Sequence, residues 1–379
     1  MARIVFVTSR IAPGTDGVGD YSRALAGELA KSGHECLAVG LNQAGPHPWV
    51  EAFPPAAMPA IAETAADSST SRLAAARDLV RRFDPAVVSF QYVSYAFARR
   101  GLTWDTGRHF HEIAGDRRVE LNSHELWSGF DVAASLHDRV QGHAQYRLYR
   151  RFLGQLRPDV IHVSNPTYVE MLRQIGQHAI LSPLFGNVPV TDALPPPGTE
   201  GFEDTAGPVW RLLFFGSIHA EWPPEPLMPR LIGAANRAGR RLVAISAGRI
   251  GPGGPVWQRM IATYGDDCRF VLLGELPAES ISGLINGSDF GVSTSPMCLI
   301  GKSGTVAAML EHGLPVIVNR DHPLRGIPAL EPAEGFDRFL RLDDRFESRL
   351  EAESARPRQR RSRLPEAAHR FVTDTGLAH

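Results

Sequence analysis

Cysteine is scarce in this 379-residue chain: Cys36, Cys268 and Cys298 stand far apart, with no CxxC spacing. That argues against a disulfide framework or a structural zinc site and fits buried thiols in a reducing cytosol. Long hydrophobic runs are missing too. No stretch approaches the roughly 20 apolar residues a membrane-spanning helix needs, and the opening MARIVFVTSR turns polar too soon for a secretory signal. Neither sign of charge is in excess, since 40 Lys and Arg offset 41 Asp and Glu to leave a net charge of -1. This balance gives no support for general binding to nucleic acid or to a membrane surface, so any anion site must be local. No fixed-period repeat is visible, which removes solenoids and propellers.

What is present is an alternation. With 43% hydrophobic residues the chain has material for two cores, and its length makes two domains the natural expectation. Short apolar runs, the pattern of parallel strands buried on both faces, alternate with amphipathic helical stretches. Residues 3–8 form the first run. The loop SRIAPGTDGVGD follows, and Asp20 is placed to cap a helix, YSRALAGELAKSG, that Gly33 ends. Further strands are expected at residues 34–40, 86–91, 117–122, 131–135 and 159–163, with 180–183 closing the sheet. Helices are expected at 71–83, 145–156 and 166–175, and residues 43–70 read as a surface connection. Residues 188–208, rich in Pro and Gly, read as an interdomain linker. The boundaries are then a first domain over 1–190, a linker over 191–208 and a second domain over 209–363. In the second domain strands are expected at 209–215, 242–246, 270–273, 290–293 and 316–318, with helices near 224, at 256–263 and at 278–286. Residues 336–340 suit an edge strand, 345–363 a solvated helix with a basic tail, and 364–372 a final amphipathic helix. The fold class is α/β, with two doubly wound Rossmann-like domains.

One stretch of the second half carries suggestive chemistry: STSPMCLIGKSGTVAAMLEHGLPVIVN, residues 293–319. A loop containing Lys302, Ser303, Gly304 and Thr305 leads into a helix at about 305–312. Backbone N–H groups at a helix start lack intrahelical partners and the helix dipole adds partial positive charge, so such a loop suits an anion. The plain alternative is an ordinary helix cap beside a solvated lysine.

Several segments in this order resemble the GT-B glycosyltransferases, family 4 in detail: GVGDYSRALAGELAKSGHE, HELW, LLFFGSI, FVLLGELPAESISGLINGSDFGVSTSP and EHGLPVIV. The resemblance implies a cleft between the domains, an acceptor-binding first domain, a nucleotide-sugar-binding second domain, and a last helix over 364–379 returning to the first. It also implies sugar transfer to an acceptor hydroxyl, metal-independent and retaining by phosphate-assisted front-face attack. The missing DxD motif agrees with metal independence. No cofactor is implied beyond the nucleoside diphosphate sugar, which is the donor substrate.

The chain departs from the family pattern. The GSI turn, Gly216-Ser217-Ile218, is followed by His219-Ala220-Glu221, where the family has an Arg and a Lys on the diphosphate. Aligning on Gly313-Leu314-Pro315 puts Ile300 and Ala308 where the family has paired glutamates, with Glu311 displaced by three residues. Lys302 with Ser303 and Thr305 is therefore expected to supply the missing charge. Gly17 and Gly19 read either as a plain turn or as a close backbone approach to ligand. Asp20 is a helix cap or an acceptor contact, and His124 is structural or faces the donor sugar. His219 is a further candidate for the diphosphate, and Glu311 for the ribose or an exposed helix face. The loops at Arg249 and Leu276 are where the nucleotide base would dock. The leading reading is a cytoplasmic glycosyltransferase with an unassigned acceptor and room for peripheral membrane contact near Arg99 and Arg100. A non-hydrolysing nucleotide-sugar epimerase and a non-catalytic nucleotide-sugar binder are the alternatives.

Overall fold

The computed structural model describes residues 1–14, 16–42, 49–57, 72–132, 134–202, 207–321, 324–328, 330 and 338–377. The chain divides into two compact units. One comprises Met1–Pro183, Pro323–Leu330 and Leu364–His379, and the other Leu184–His322 and Glu331–Arg363.

The first unit is built on a seven-stranded sheet. Its strands are β1 (Arg3–Thr8), β2 (Glu35–Gly40), β3 (Trp49–Phe53), β4 (Val87–Tyr92), β5 (Arg118–Ser123), β6 (Val160–Val163) and β7 (Ile180–Leu181), in the order β3-β2-β1-β4-β5-β6-β7. All neighbours run parallel except β3, which pairs antiparallel with β2. Every residue of β4 is buried, as the continuous run of apolar and small polar residues requires for a central parallel strand. Helices α1 (Gly17–Lys31), α2 (Arg72–Phe83), α3 (Ser94–Phe97), α4 (Thr106–Ala114), α5 (Leu136–Leu156) and α6 (Pro166–Gln174) alternate with these strands. The last helix of this unit, α12 (Leu364–Asp374), packs beside α1 and sets Phe371 5.4 Å from Phe6 of β1.

The second unit has six parallel strands: β8 (Val209–Phe215), β9 (Arg241–Ala247), β10 (Cys268–Gly274), β11 (Phe290–Ser293), β12 (Val316–Val318) and β13 (Phe339–Arg341). Their order is β10-β9-β8-β11-β12-β13. Alternation along β8 divides the apolar side chains between two cores. Trp210, Leu212 and Phe214 meet Trp222, Met228 and Trp257 on one face, while Val209 and Leu213 meet Ile281, Leu284 and Met309 on the other. Each such full burial contributes about 1.5–3 kcal/mol. The helices are α7 (Met228–Arg237), α8 (Gly254–Tyr264), α9 (Ala278–Gly287), α10 (Gly304–Glu311) and α11 (Phe346–Ala355). Arg358 donates to the carbonyls of Ile285, Asn286 and Ser288, placing a cation on the unpaired C-terminal end of α9.

The structure changes several expectations. Asp20 is not the cap of α1: Asp16 is, its Oδ1 accepting from the Val18 N–H at 3.0 Å, because the helix begins at Gly17. Asp20 instead closes the preceding loop by accepting from the Gly14 N–H at 3.0 Å. Among the described residues of 131–135 no strand forms. Asp131 makes a single bridge to Leu324, and Ser135 caps α5, which starts nine residues before the expected 145. The surface connection at 43–70 contains strand β3; residues 43–48 and 58–70 lie outside the described residues. Helix α4 also went unanticipated. The solvated helix at 345–363 ends at Ala355, and residues 336–337 of the expected edge strand lie outside the described residues.

Candidate functional site

In each sheet the strand order reverses beside the first strand, between β1 and β4 in one unit and between β8 and β11 in the other. Loops leaving the carboxyl ends of two such strands turn to opposite faces and leave a crevice, where open α/β sheets take their ligands. In the second unit that crevice is a pocket of about 270 Å³.

Three chain segments line it. The first is Gly216-Ser217-Ile218, the turn after β8; the second is Ser293-Thr294-Ser295, at the end of β11; the third is Ser303-Gly304-Thr305, the start of α10. Gly216 has φ +83, and a Cβ there would lie 2.8 Å from Thr305 Cγ2, so glycine is needed both for the backbone and for the approach of the two loops. Ser303 caps α10, its Oγ accepting from Val306 N at 3.3 Å and lying 3.1 Å from Thr305 Oγ1. Thr294 ties the loops together, accepting from the His219 N–H at 3.1 Å while its hydroxyl donates to the Ser217 carbonyl at 3.4 Å.

The surroundings are cationic. Arg320, two residues beyond β12, is almost wholly buried, donates to the Thr294 carbonyl at 3.2 Å and lies 3.9 Å from the exposed carboxylate of Glu221. His219 has its pKa lowered by burial and then by the positive charge of Arg320; Glu221 opposes this, and Lys302 adds a smaller lowering effect. Its Nδ1 accepts from the Glu221 N–H at 3.2 Å, so the proton of the neutral ring sits on Nε2, available to an electron-rich ligand.

Of the residues singled out from the sequence, Gly216, Ser217, Ser303, Gly304 and Thr305 come together in the pocket wall. Lys302 ends the 3-10 turn before α10, within electrostatic reach of His219. Arg249 and Leu276 stand beyond β9 and β10 and do not line this pocket; Arg249 pairs with Glu275 at 3.2 Å and Leu276 leans on the core. Glu311 is buried at the other end of α10, where backbone N–H groups of Arg363 and Gly186 hold its carboxyl. Burial pushes its pKa up to about 7. Ile300 and Ala308 belong to the apolar core. Thr294 and Arg320 were not anticipated, although both stand just past apolar runs, at the carboxyl ends of strands.

The remaining candidates lie in the first unit. Gly19 is pressed on the preceding loop: a Cβ would fall 2.2 Å from the Arg10 carbonyl oxygen, whereas Gly17 faces open space. His124, just beyond β5, is buried, with its Nε2 2.8 Å from Gln91 Oε1 and its ring edge-on to Tyr21 at 5.1 Å. Burial pushes its pKa down to about 4, so the ring is neutral at pH 7. Among the described residues no group of three His, Cys, Asp or Glu is placed to hold a metal ion, and no helix is long and apolar enough to cross a membrane.

No protein-family model and no curated protein matches the sequence. Solved structures do. Sucrose-phosphate synthase from Thermosynechococcus elongatus is similar at a TM-score of 0.53 and 14% identity, over 98% of this chain and 94% of that one. A putative UDP-N-acetylglucosamine 2-epimerase from Listeria monocytogenes gives 0.53 and 11%, over 99% and 96%. Anabaena HepE, solved with UDP and glucose, gives 0.50 and 12%, over 100% and 98%. At such identities the likeness is one of fold, and the fold is GT-B.

Proposed function

We propose that this chain is a glycosyltransferase that holds a nucleoside diphosphate sugar by its diphosphate in the pocket between β8 and β11. The observation that carries the reading is the chemistry of that pocket. Hydroxyls of Ser217, Thr294 and Thr305, the N-terminal end of α10, and the Arg320 and Lys302 cations gather at the switch point of a parallel sheet. HepE, similar in fold, was solved with UDP and glucose.

In sugar transfer the bond from the anomeric carbon to the diphosphate oxygen breaks as the acceptor oxygen bonds that carbon. Negative charge builds on the departing phosphate, and fixed dipoles and cations aimed at it lower the barrier. In the proposed site the Lys302 ammonium, the His219 Nε2–H and the first N–H groups of α10 serve that charge. Lys302 and Arg320 then take the place of the family's Arg and Lys, while Ile300 and Ala308 offer no carboxylate, so the diphosphate rather than an acidic pair governs the departure. A charge-assisted hydrogen bond is worth about 1.5–3 kcal/mol, so Lys302→Ala should weaken UDP binding about tenfold or more by calorimetry. Unchanged affinity would sink the assignment.

A second reading rests on the equal similarity of the epimerase fold. Incubation with single nucleotide sugars, followed by NMR, separates the readings. Slow hydrolysis, or transfer when an acceptor is supplied, indicates a transferase; a new sugar isomer indicates an epimerase; shift changes alone indicate a binder.

A further inference from the structure

A chain of buried polar side chains crosses the first unit from His124 to α12. His124 Nε2 lies 2.8 Å from Gln91 Oε1, and Gln91 Nε2 donates to Ser89 Oγ at 2.7 Å. Ser89 Oγ donates to Glu120 Oε2 at 2.5 Å, Glu120 Oε1 lies 2.8 Å from His162 Nδ1, and His162 Nε2 lies 3.0 Å from Asp374 Oδ2. The links come from β4, β5, β6 and the end of α12. A neutral reading is that they merely satisfy one another, as buried polar groups must. Their order says more, because each group has a fixed stock of donors and acceptors.

His162 stands between two carboxylates, so it donates from both nitrogens. Burial alone would lower its pKa, but the hydrogen bonds and charges of Glu120 and Asp374 outweigh that and raise it. The proton of the His162–Glu120 contact lies between Nδ1 and Oε1, so Oε2 of Glu120 is left to accept. The one hydroxyl proton of Ser89 is thereby committed to Glu120, and Ser89 Oγ can only accept from its other neighbour. That neighbour must be the amide nitrogen of Gln91, which turns the Gln91 carbonyl toward His124. A carbonyl only accepts, so the proton of the neutral His124 ring sits on Nε2.

We propose that Glu120, acting through Ser89 and Gln91, is a positioning residue that fixes His124 as its Nε2–H tautomer. A ligand that reaches the ring then meets only the Nδ1 lone pair. Such a group accepts from a hydroxyl or an amide N–H and disfavours a carboxylate or phosphate oxygen, so the first unit would recognise a neutral, hydroxyl-bearing part of its ligand at this point. That last step rests on the sugar-transfer reading; the tautomer does not.

The test is nitrogen-15 NMR of the whole ligand-free chain labelled at histidine, with His124 assigned by its loss in His124→Asn. At pH 7 the expected pattern is a protonated Nε2 and a bare Nδ1. Ser89→Ala releases the Gln91 amide to turn over, and the His124 shifts should move toward a mixture of tautomers, with at least a tenth of the ring carrying its proton on Nδ1. Gln91→Glu puts a carboxylate beside Nε2, and the titration midpoint of His124 should rise by at least one pH unit. A protonated Nδ1 or a doubly protonated ring in the unmodified chain at pH 7 overturns the proposal. So does an unmoved tautomer in a folded Ser89→Ala chain, and, should that variant not fold, an unmoved midpoint in Gln91→Glu decides against it. If no nucleotide sugar binds, the sugar-transfer reading fails while the tautomer result stands, since the shifts are read without ligand.

Discussion

Glu311 Oε1 accepts from the backbone N–H of Arg363 at 2.8 Å, and the Glu311 carbonyl accepts from the N–H of Arg361 at 2.8 Å. The end of α10 thus holds the extended segment that follows α11, inside the second unit, through one backbone carbonyl and one side-chain carboxylate. The Glu311 carboxyl is buried, and its pKa is raised to about 7.

A raised carboxyl pKa has a definite sign. The folded chain binds this proton more tightly than the unfolded chain, so the group favours folding at low pH and opposes it increasingly as pH climbs from the ordinary carboxylate value to about 7. The span corresponds to on the order of 3 kcal/mol. The melting temperature should fall between pH 5 and pH 8, and the slope should flatten in Glu311→Gln whatever that variant's absolute stability. Parallel slopes in the two chains would refute the account.

His162 acts in the same sense, at its own place on the pH scale. Its pKa is raised in the fold, so its contribution is complete below the ordinary imidazole value and disappears as pH rises through the folded value. Asp374→Asn should cost about 1–3 kcal/mol in urea unfolding at pH 6. The difference from the unmodified chain should shrink at pH 9.

Gly216→Ala places a methyl against Thr305 on a backbone of positive φ. The expected loss is about 1–3 kcal/mol of stability, accompanied by weaker UDP binding because the turn after β8 must shift. Pairing it with Thr305→Ser, which removes the opposing methyl, should recover the steric part of the loss and leave the backbone part.

Ser303→Ala removes the cap of α10 and should lower stability by about 1 kcal/mol. Ser303→Asp keeps a capping oxygen but adds negative charge in the pocket wall. It should therefore retain much of the stability while weakening UDP binding, which calorimetry and thermal melts can separate.

Much of this fold is legible in the residue order because parallel strands advertise themselves. β1, β8, β11 and β12 fall within or upon the expected apolar runs. Elements that touch solvent were harder. The first half of α5, LHDRVQGHA, is largely exposed, with Leu136 and Val140 facing out, so no apolar stripe announces it. Strand β3 is an antiparallel edge with only Ala52 fully buried, and little marks it except its neighbours. The pocket was legible where glycine, hydroxyl and lysine cluster in one segment. Arg320 was not, because its place depends on β12 lying beside β11, which no local pattern states. The displaced Glu311 shows the reverse, a residue whose type invited a ligand role but whose helix turns it toward backbone.

The bond between His162 and Asp374 joins residues 212 positions apart. On a ribosome making about 5–20 residues per second, that separation is roughly 10–40 s. Throughout that interval the nascent first unit has its buried His162 without its second carboxylate, and Phe6 without the cover of Phe371. The sheet from β1 to β7 is made early yet completed late, after the whole second unit has emerged. A chain stopped before α12 would carry an open apolar strip along α1 and β1, a surface on which chaperones and aggregation compete.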